Sequence, residues 1–473
     1  MSAPEIAAAD YDLLVIGGGP AGENVADYAV RNGLRVGIVE FALVGGECSY
    51  WACMPSKALL RSGHALRAAR RLPGAREAVT GEQLSATAVL ARRTSFTSGW
   101  KDDGQVAWVE SAGIDLIRGH GRLDGPGRVK VGDRVYSAGA VALATGSVPI
   151  LPAIPGLAEA RPWGTREVTA ADHVPPRLIV LGGGVAGTEM AFAFSSLGSQ
   201  VTFLSRGPLL EREESFVGEY LAKALTADGV DVRLGDALAR IDRGAHGEVE
   251  VTLDDGTSLV GDEILVATGR RPATADLGLE SVGLGTDLTV DDTLLVDGTD
   301  WLYAVGDANG RSLLTHQGKY QARAAGEAIA ARLNAAPASL EPWSRYVATA
   351  DHAAVPRVVF TDPEVAAVGP TESTARASGA RVRSVEYEIG HVAGASLHAD
   401  GYTGRAKLVI DEDRGVILGA TFVGQDVAEL LHSATVAIVG EVPLERLWHA
   451  VPAYPTISEV WLRLLEEYRR TGR

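Results

Sequence analysis

The only two cysteines of the 473-residue chain fall in one stretch, Gly45-Gly46-Glu47-Cys48-Ser49-Tyr50-Trp51-Ala52-Cys53-Met54-Pro55-Ser56-Lys57. A disulfide between Cys48 and Cys53 would close a ring of about six residues, and loop-closure stabilisation grows with ring size, so such a bond would do little as a staple. The spacing favours reversible redox chemistry over a structural cross-link. Two unpaired thiols packing as small hydrophobes are the competing reading.

Two glycine runs could cradle phosphate. Gly17-Gly18-Gly19-Pro20-Ala21-Gly22 follows the apolar run Tyr11 to Ile16 and leads into a predicted helix, Glu23 to Asn32, and a second strand, Arg35 to Val39, ending at Glu40. In such a βαβ unit Gly17, Gly19 and Gly22 let backbone approach a pyrophosphate at a helix N-terminus, and Glu40 can hold ribose hydroxyls. The pattern recurs as Gly182-Gly183-Gly184-Val185-Ala186-Gly187 between the predicted strand Leu178 to Leu181 and helix Thr188 to Leu197, with the strand Gln200 to Leu204 following. Gly182, Gly184 and Gly187 take the same places, and two nucleotide-bearing ligands are implied. Glu40 stands 23 residues after Gly17, whereas 23 residues after Gly182 stands Ser205. The acid is missing there, and Arg206 and Arg212 follow. Removing a carboxylate relieves repulsion toward a 2′-phosphate, and arginine supplies a bidentate partner, so the second unit is expected to prefer NADPH, with NADH as the other donor. A solvated surface role for Arg206 is the alternative.

These residues need strands to hold them. Ala142 to Gly146 reads Ala-Leu-Ala-Thr-Gly and Leu265 to Gly269 reads Leu-Val-Ala-Thr-Gly, two strand-end signatures that bracket the second unit. The second nucleotide domain is therefore expected to be inserted into the first, with crossings near Pro149 and Arg271. Trp301 to Asn309 is predicted as a strand leading to Val305-Gly306-Asp307, which puts Asp307 at a strand's carboxyl end, where ligands of open α/β sheets bind. Ala336 to Pro342 reads as a linker. Beyond it, Val358 to Phe360, Ala406 to Ile410 and Ile417 to Val423 are strand candidates, with helices at Val427 to Gly440 and Ser458 to Tyr468. The fold class is α/β: two Rossmann-like nucleotide-binding domains plus a C-terminal α+β domain. The division is residues 1–149 with 271–345, 150–270, and 346–473.

Composition is that of a globular protein, 46% hydrophobic and 22% charged. A net charge of −16 argues against nucleic acid, whose phosphates need clustered Lys and Arg. No apolar run reaches 18 residues, and Met1 to Asp12 lacks a basic segment followed by an apolar one, so neither a membrane span nor a leader is expected and the protein is placed in the cytoplasm. Structural disulfides are rare there and transient catalytic ones occur, which strengthens the redox reading of Cys48 and Cys53. No metal-ligand set is expected.

Together these motifs resemble the FAD-dependent pyridine nucleotide-disulfide oxidoreductases, the family of dihydrolipoamide dehydrogenase, glutathione reductase, mercuric reductase and soluble transhydrogenase. The carriers are the Gly17 fingerprint with Glu40, the Cys48 to Lys57 stretch, both Ala-Thr-Gly signatures including Thr145 and Gly146, the second fingerprint with Glu189, Gly306-Asp307, and Pro356 to Glu364. The resemblance implies that Gly17, Gly19, Gly22 and Glu40 hold the adenosine half of FAD and Asp307 its ribitol region. It implies a redox-active disulfide in which Cys53 faces the flavin and Cys48 meets the substrate, with Lys57 and Glu189 as an ion pair beside flavin and nicotinamide. It further implies a homodimer whose C-terminal domain presents Tyr454 and Glu459 to Cys48 of the other subunit, and a small-molecule electron acceptor.

One position departs from the pattern. The family's disulfide reductases carry a histidine before Pro-Thr, paired with a glutamate five residues later; this chain has Tyr454 and Glu459 in those places. A phenol, with an ordinary pKa of about 10, is a poor base at neutral pH. His449 lies five residues upstream and reads as structural. Tyrosine here is similar to mercuric reductases and soluble transhydrogenases, yet the run Tyr468 to Arg473 lacks the mercuric reductases' extra cysteine pair, and transhydrogenases typically lack the second cysteine. The expected activity is electron transfer from NADPH through flavin and the Cys48-Cys53 pair to a disulfide, quinone or metal ion. A transhydrogenase, a mercuric reductase-like enzyme without the terminal pair, and a non-catalytic flavin-binding redox partner are the rivals.

Overall fold

The computed structural model describes residues 9–79 and 83–471; Met1 to Ala8 of the N-terminal stretch, and the last two residues, lie outside that range. The chain divides into two compact units: one of the segment up to Met54, Ser95–Pro149 and Arg270–Asp351, the other of Pro55–Thr94, Ile150–Gly269 and the segment from His352 on.

The first unit is built on a parallel sheet in the order Leu302–Ala304, Arg134–Leu143, Tyr11–Ile16, Val36–Glu40, Asp115–Arg118. Leu13, Leu14 and Val15 are fully buried, as are Ala140 to Leu143, because helices cover a parallel sheet on its faces and its strands read as unbroken apolar runs. Arg134–Leu143 forks: its first residues pair with the antiparallel ribbon Gly121–Leu123 and Arg128–Val131, and its last six with the central strands. The helices Pro20–Arg31 and Thr315–Leu333 lie side by side. Gly326 permits that approach, since a Cβ there would sit 2.7 Å from Tyr28 Cβ. The predicted strand from Trp301 stops at Ala304, and Gly306–Asn309 is a 3₁₀ turn instead. Gly306 takes φ +67° and donates its N–H to the buried Gln321 side chain at 2.8 Å, which turns the backbone out of the sheet. Strands Ser147–Pro149 and Arg270–Pro272 pair antiparallel, so the two chain crossings run side by side.

The second unit holds another parallel sheet, ordered Asp231–Leu234, Gln200–Ser205, Arg177–Leu181, Glu263–Val266, with a three-stranded antiparallel ribbon, Leu238–Arg243, Val249–Leu253 and Ser258–Gly261. All strands of this sheet fall, in sequence, between Arg134–Leu143 and Leu302–Ala304 of the first. The unit also contains the C-terminal five-stranded antiparallel sheet, ordered Pro356–Val359, Glu364–Val368, Val416–Gly424, Arg405–Asp411, Val382–Glu388. The helix predicted from Val427 is broken into a 3₁₀ turn, Val427–Leu430, and a helix, Leu431–Val439. The closing helix, Val460–Thr471, follows a 3₁₀ turn at Ile457–Glu459 and buries Val460, Leu464 and Leu465. The chain thus comprises two Rossmann-like α/β folds and a C-terminal α+β domain. Among the described residues no helix is long and apolar enough to cross a membrane.

Candidate functional site

In the first unit each fingerprint glycine has a different reason to be glycine. Gly17 has φ +107°, and a Cβ on it would collide with the carbonyl of Ala144; a Cβ on Gly22 would collide with the carbonyl of Gly17. At Gly19 the nearest atom to an added Cβ is 3.7 Å away, leaving the middle of the turn open to a ligand's backbone-bound phosphates. That is the division of labour of a dinucleotide turn: sharp bend, close ligand approach, tight helix packing. Glu40, buried at the end of Val36–Glu40, accepts the N–H of Gly18 and of Ala42, each at 2.6 Å, which fixes its carboxylate at the turn.

The cysteine stretch is fastened to that turn through backbone. Gly45 donates its N–H to Gly18 O at 2.8 Å, and Gly46, at φ +60°, comes so near that a Cβ would lie 2.7 Å from Gly19 Cα. Cys48 then sits in the short helix Gly46–Tyr50, and Cys53 opens the helix Cys53–Arg70. Both thiols are half-buried, and no disulfide joins them. The Cys48 thiol is pushed well above its ordinary value, first by its hydrogen bond with Cys53, then by burial and by the Cys53 charge. Cys53 Sγ lies 3.2 Å from the Thr315 hydroxyl, and Thr315 begins the 19-residue helix Thr315–Leu333. Cys53 therefore stands at the positive end of its own helix and against the first residue of another, an environment that favours a thiolate.

Nearby in the same unit, Asp307 Oδ2 accepts the Ser147 hydroxyl at 2.5 Å. Ser147 Oγ accepts Arg270 Nε at 2.7 Å, and Arg270 pairs with Glu47 at 2.6 Å. Burial raises the Asp307 pKa. Thr145 donates to Ala273 O at 2.9 Å and Gly146 takes φ +75°, so this strand end is held by the returning crossing strand.

The second unit repeats the turn. Gly182 has φ +122° and abuts the carbonyl of Ala267, Gly187 abuts that of Gly182, and a Cβ on Gly184 would find nothing nearer than 4.0 Å. Where Glu40 faces Gly18 in the first fold, Ser205 faces Gly183, and its hydroxyl donates to Gly207 O at 2.9 Å. Arg206 and Arg212 are exposed and have no ion-pair partner among the described residues. Glu189, 2% exposed on the helix Val185–Ser196, accepts Lys57 Nζ at 2.7 Å and the Phe360 N–H at 3.0 Å. Lys57 Nζ also lies 4.9 Å from the centroid of the Phe360 ring, a cation–π contact.

Tyr454 and Glu459 are not joined. The Tyr454 side chain is 77% exposed, while Glu459 is buried and pairs with Arg463 at 2.5 Å; its second oxygen has no hydrogen-bond partner among the described residues. His449 is exposed. Sequence reasoning missed Thr315, Ser147, Arg270 and Phe360. Phe360 alone carried a local signal, since it lies within the Pro356 to Glu364 motif.

A model described as the pyridine nucleotide-disulphide oxidoreductase matches residues 11–328, and one for that family's dimerisation domain matches residues 355–464. The chain belongs to the pyridine nucleotide-disulphide oxidoreductase family. It is 33% identical to a dihydrolipoyl dehydrogenase of Chlorobaculum tepidum over 478 residues, covering 97% of each chain. It is 31% identical to a mercuric reductase of Shigella flexneri over 462 residues, 94% of this chain and 79% of that protein. Among solved structures it resembles the Cu(II) complex of the HOCl-induced flavoprotein disulfide reductase RclA from Escherichia coli, with 25% identity and a TM-score of 0.81 over 96% of this chain and 99% of that one. As a member of this family the chain is a flavoenzyme-type oxidoreductase with two dinucleotide folds, for FAD and NAD(P)H, and a dimerisation domain. Both glycine turns fit a pyrophosphate by the open approach at Gly19 and Gly184.

Proposed function

We propose that the protein takes electrons from NADPH and delivers them, through FAD and the Cys48-Cys53 pair, to an acceptor that needs no thiol-directed general base, with a thiophilic metal ion first among candidates. Bound FAD would supply two-electron exchange between nicotinamide and disulfide. Everything else falls to the chain. Gly17, Gly19, Gly22 and Glu40 would hold the adenosine half of FAD and Asp307 its ribitol region, with Thr145 and Gly146 also in the cofactor site, and the Lys57–Glu189 pair, which Phe360 contacts, would supply the cation for the reduced flavin. Gly182, Gly184 and Gly187 take the second nucleotide, with Ser205, Arg206 and Arg212 toward a 2′-phosphate.

The observation that carries the reading is the contrast at the dithiol. Cys53 occupies a thiolate-favouring position, the contact with Cys53 and burial push the Cys48 thiol toward its protonated form, and the exposed Tyr454 is bound to no carboxylate. Thiol–disulfide exchange at Cys48 needs that proton removed, and a phenol removes it poorly. A copper ion needs no such base, because coordination itself displaces the thiol proton. The balance is then simple: the dithiol and two Cu(II) give the disulfide, two Cu(I) and two protons, and NADPH with one proton restores the dithiol. The Cu(II) complex of RclA supports this acceptor class, as does the mercuric reductase relationship. The active form is a homodimer in which Tyr454 and Glu459 face the partner's Cys48, in a cytoplasmic protein divided as residues 1–149 with 271–345, 150–270 and 346–473.

Steady-state rates with NADPH against Cu(II), a quinone, oxidised glutathione and lipoamide test it. Cu(II) reduction should be fast and disulfide reduction slow, with Cys53→Ser abolishing the former. Efficient glutathione reduction, unchanged in Tyr454→Phe, would refute it. Tyr454 and the Cys48-Ser49-Tyr50-Trp51 run favour one second reading, a transhydrogenase through FAD alone; hydride exchange between the two nicotinamide nucleotides that survives Cys53→Ser would establish it.

A further inference from the structure

The segment Ser205 to Glu214 must leave the second parallel sheet and enter the helix Ser215–Ala227 while presenting two arginines. Its middle is tacked to the glycine turn. Leu209 and Leu210 are buried, Leu210 donates its N–H to Gly183 O at 2.9 Å, and Gly218 leaves room for Leu209 O, which a Cβ there would approach to 2.6 Å. Its end is tied to the C-terminal sheet of the same unit. Glu213, on whose carboxylate Arg357 closes a two-pronged pair at 2.8 and 3.0 Å, and Glu214, which accepts Lys407 Nζ at 2.9 Å and the Glu372 N–H at 2.7 Å, are both largely buried. Lys407, 9% exposed, is shared with Glu372 at 2.9 Å and Glu386 at 3.4 Å. Between the two anchorages lie only Glu211 and Arg212, both exposed.

We propose that the Glu213–Arg357 and Glu214–Lys407 pairs are positioning contacts that hold Arg212 toward the nucleotide, so that the C-terminal sheet helps set the preference for a 2′-phosphorylated donor. This rests on the NADPH reading above. The physical reason is register. Glu211 and Arg212 are neighbours of opposite charge, and a shift of the backbone by one residue would offer a phosphate the carboxylate in place of the guanidinium. Fixing the residues on both sides removes that freedom. Paired, buried carboxylates suit the task because their geometry is held by charge-assisted bonds rather than by apolar contact, which tolerates sliding.

The test uses the FAD-loaded, full-length protein and adenosine 2′,5′-bisphosphate as probe, with 5′-AMP as its control, alongside KM and kcat for NADPH and NADH with a dye acceptor. Glu213→Gln/Glu214→Gln should weaken the bisphosphate about tenfold and raise the NADPH KM to match, leaving 5′-AMP binding, the NADH KM and kcat unchanged. In an Arg212→Ala background the same pair of changes should add nothing. Loss for both probes alike, or a further loss without Arg212, would overturn the proposal in favour of a merely structural brace. If Arg212→Ala itself leaves bisphosphate binding intact, the NADPH reading fails; if Arg212→Ala weakens it and the glutamine variants do not, only the positioning role fails. Should the double variant not fold, Glu213→Gln alone decides, because Arg357 keeps the carbonyls of Val355 and Gly369.

Discussion

Thr315 is the residue that most changes how the dithiol is understood. It lies 262 positions from Cys53 in sequence, so no motif joins them, yet its hydroxyl is 3.2 Å from the sulfur. A hydroxyl can donate to a thiolate but gains little from a thiol, so its loss should be felt mainly by the charged form. Thr315→Val should move the appearance of long-wavelength charge-transfer absorbance in the reduced enzyme upward by about one pH unit, worth about 1.4 kcal/mol. A spectrophotometric pH titration under nitrogen checks it, and an unmoved midpoint would remove the hydroxyl from the account. At this scale the sequence was readable wherever chemistry was local: Cys48 with Cys53, the glycines, Glu40 against Ser205. Ser147 and Arg270 were not legible because their partners come from segments brought together only by folding. The absence of a Tyr454–Glu459 bond was equally hidden, since Glu459 turns to Arg463 one helical turn on.

Among the elements, those with apolar runs were readable and those with inward polar residues were not. Tyr11–Ile16, Gln200–Ser205 and Arg405–Asp411 lie within a residue or two of their predicted bounds. The helix Thr315–Leu333 escaped notice because Gln317 and Gln321 are buried on its inner face, where Gln321 serves Gly306, Asn309 and Asp351; polar residues there spoil the periodicity by which a helix is recognised. Gly46 gives the sharpest prediction at this scale. Gly46→Ala adds a Cβ 2.7 Å from Gly19 Cα at a residue with φ +60°. The left-handed backbone alone costs about 1 kcal/mol, and the overlap adds to it. The cysteine loop and the first glycine turn should separate, lowering the melting temperature and the FAD retained through gel filtration; full flavin content would show that the loop can move aside.

At the scale of the whole molecule, two buried carboxyls contribute a rise in stability toward acid pH. Glu23 in the first unit and Glu364 in the second are each raised from 4.5 to about 7, chiefly by burial. Below about pH 4.5 folded and unfolded chains hold these protons equally. Between there and pH 7 the unfolded chain releases them and the folded chain does not, so stability falls as pH rises, by up to roughly 3 kcal/mol per group, and is level above. Glu23→Gln/Glu364→Gln should therefore melt higher than the parent at pH 8 and no higher at pH 4.5; a constant offset across that range would contradict the assignment. The two nucleotide folds show a different economy. Their glycine turns repeat the same three backbone constraints, and the residue facing the second position of the turn, Glu40 in one and Ser205 in the other, is where they part. Under the proposed reading the backbone of the turn would take the pyrophosphate and the side chain beside it the ribose, so the two tasks fall to different groups. A lineage could retune its reductant by substitutions after one strand while the flavin site and the dithiol stay as they are.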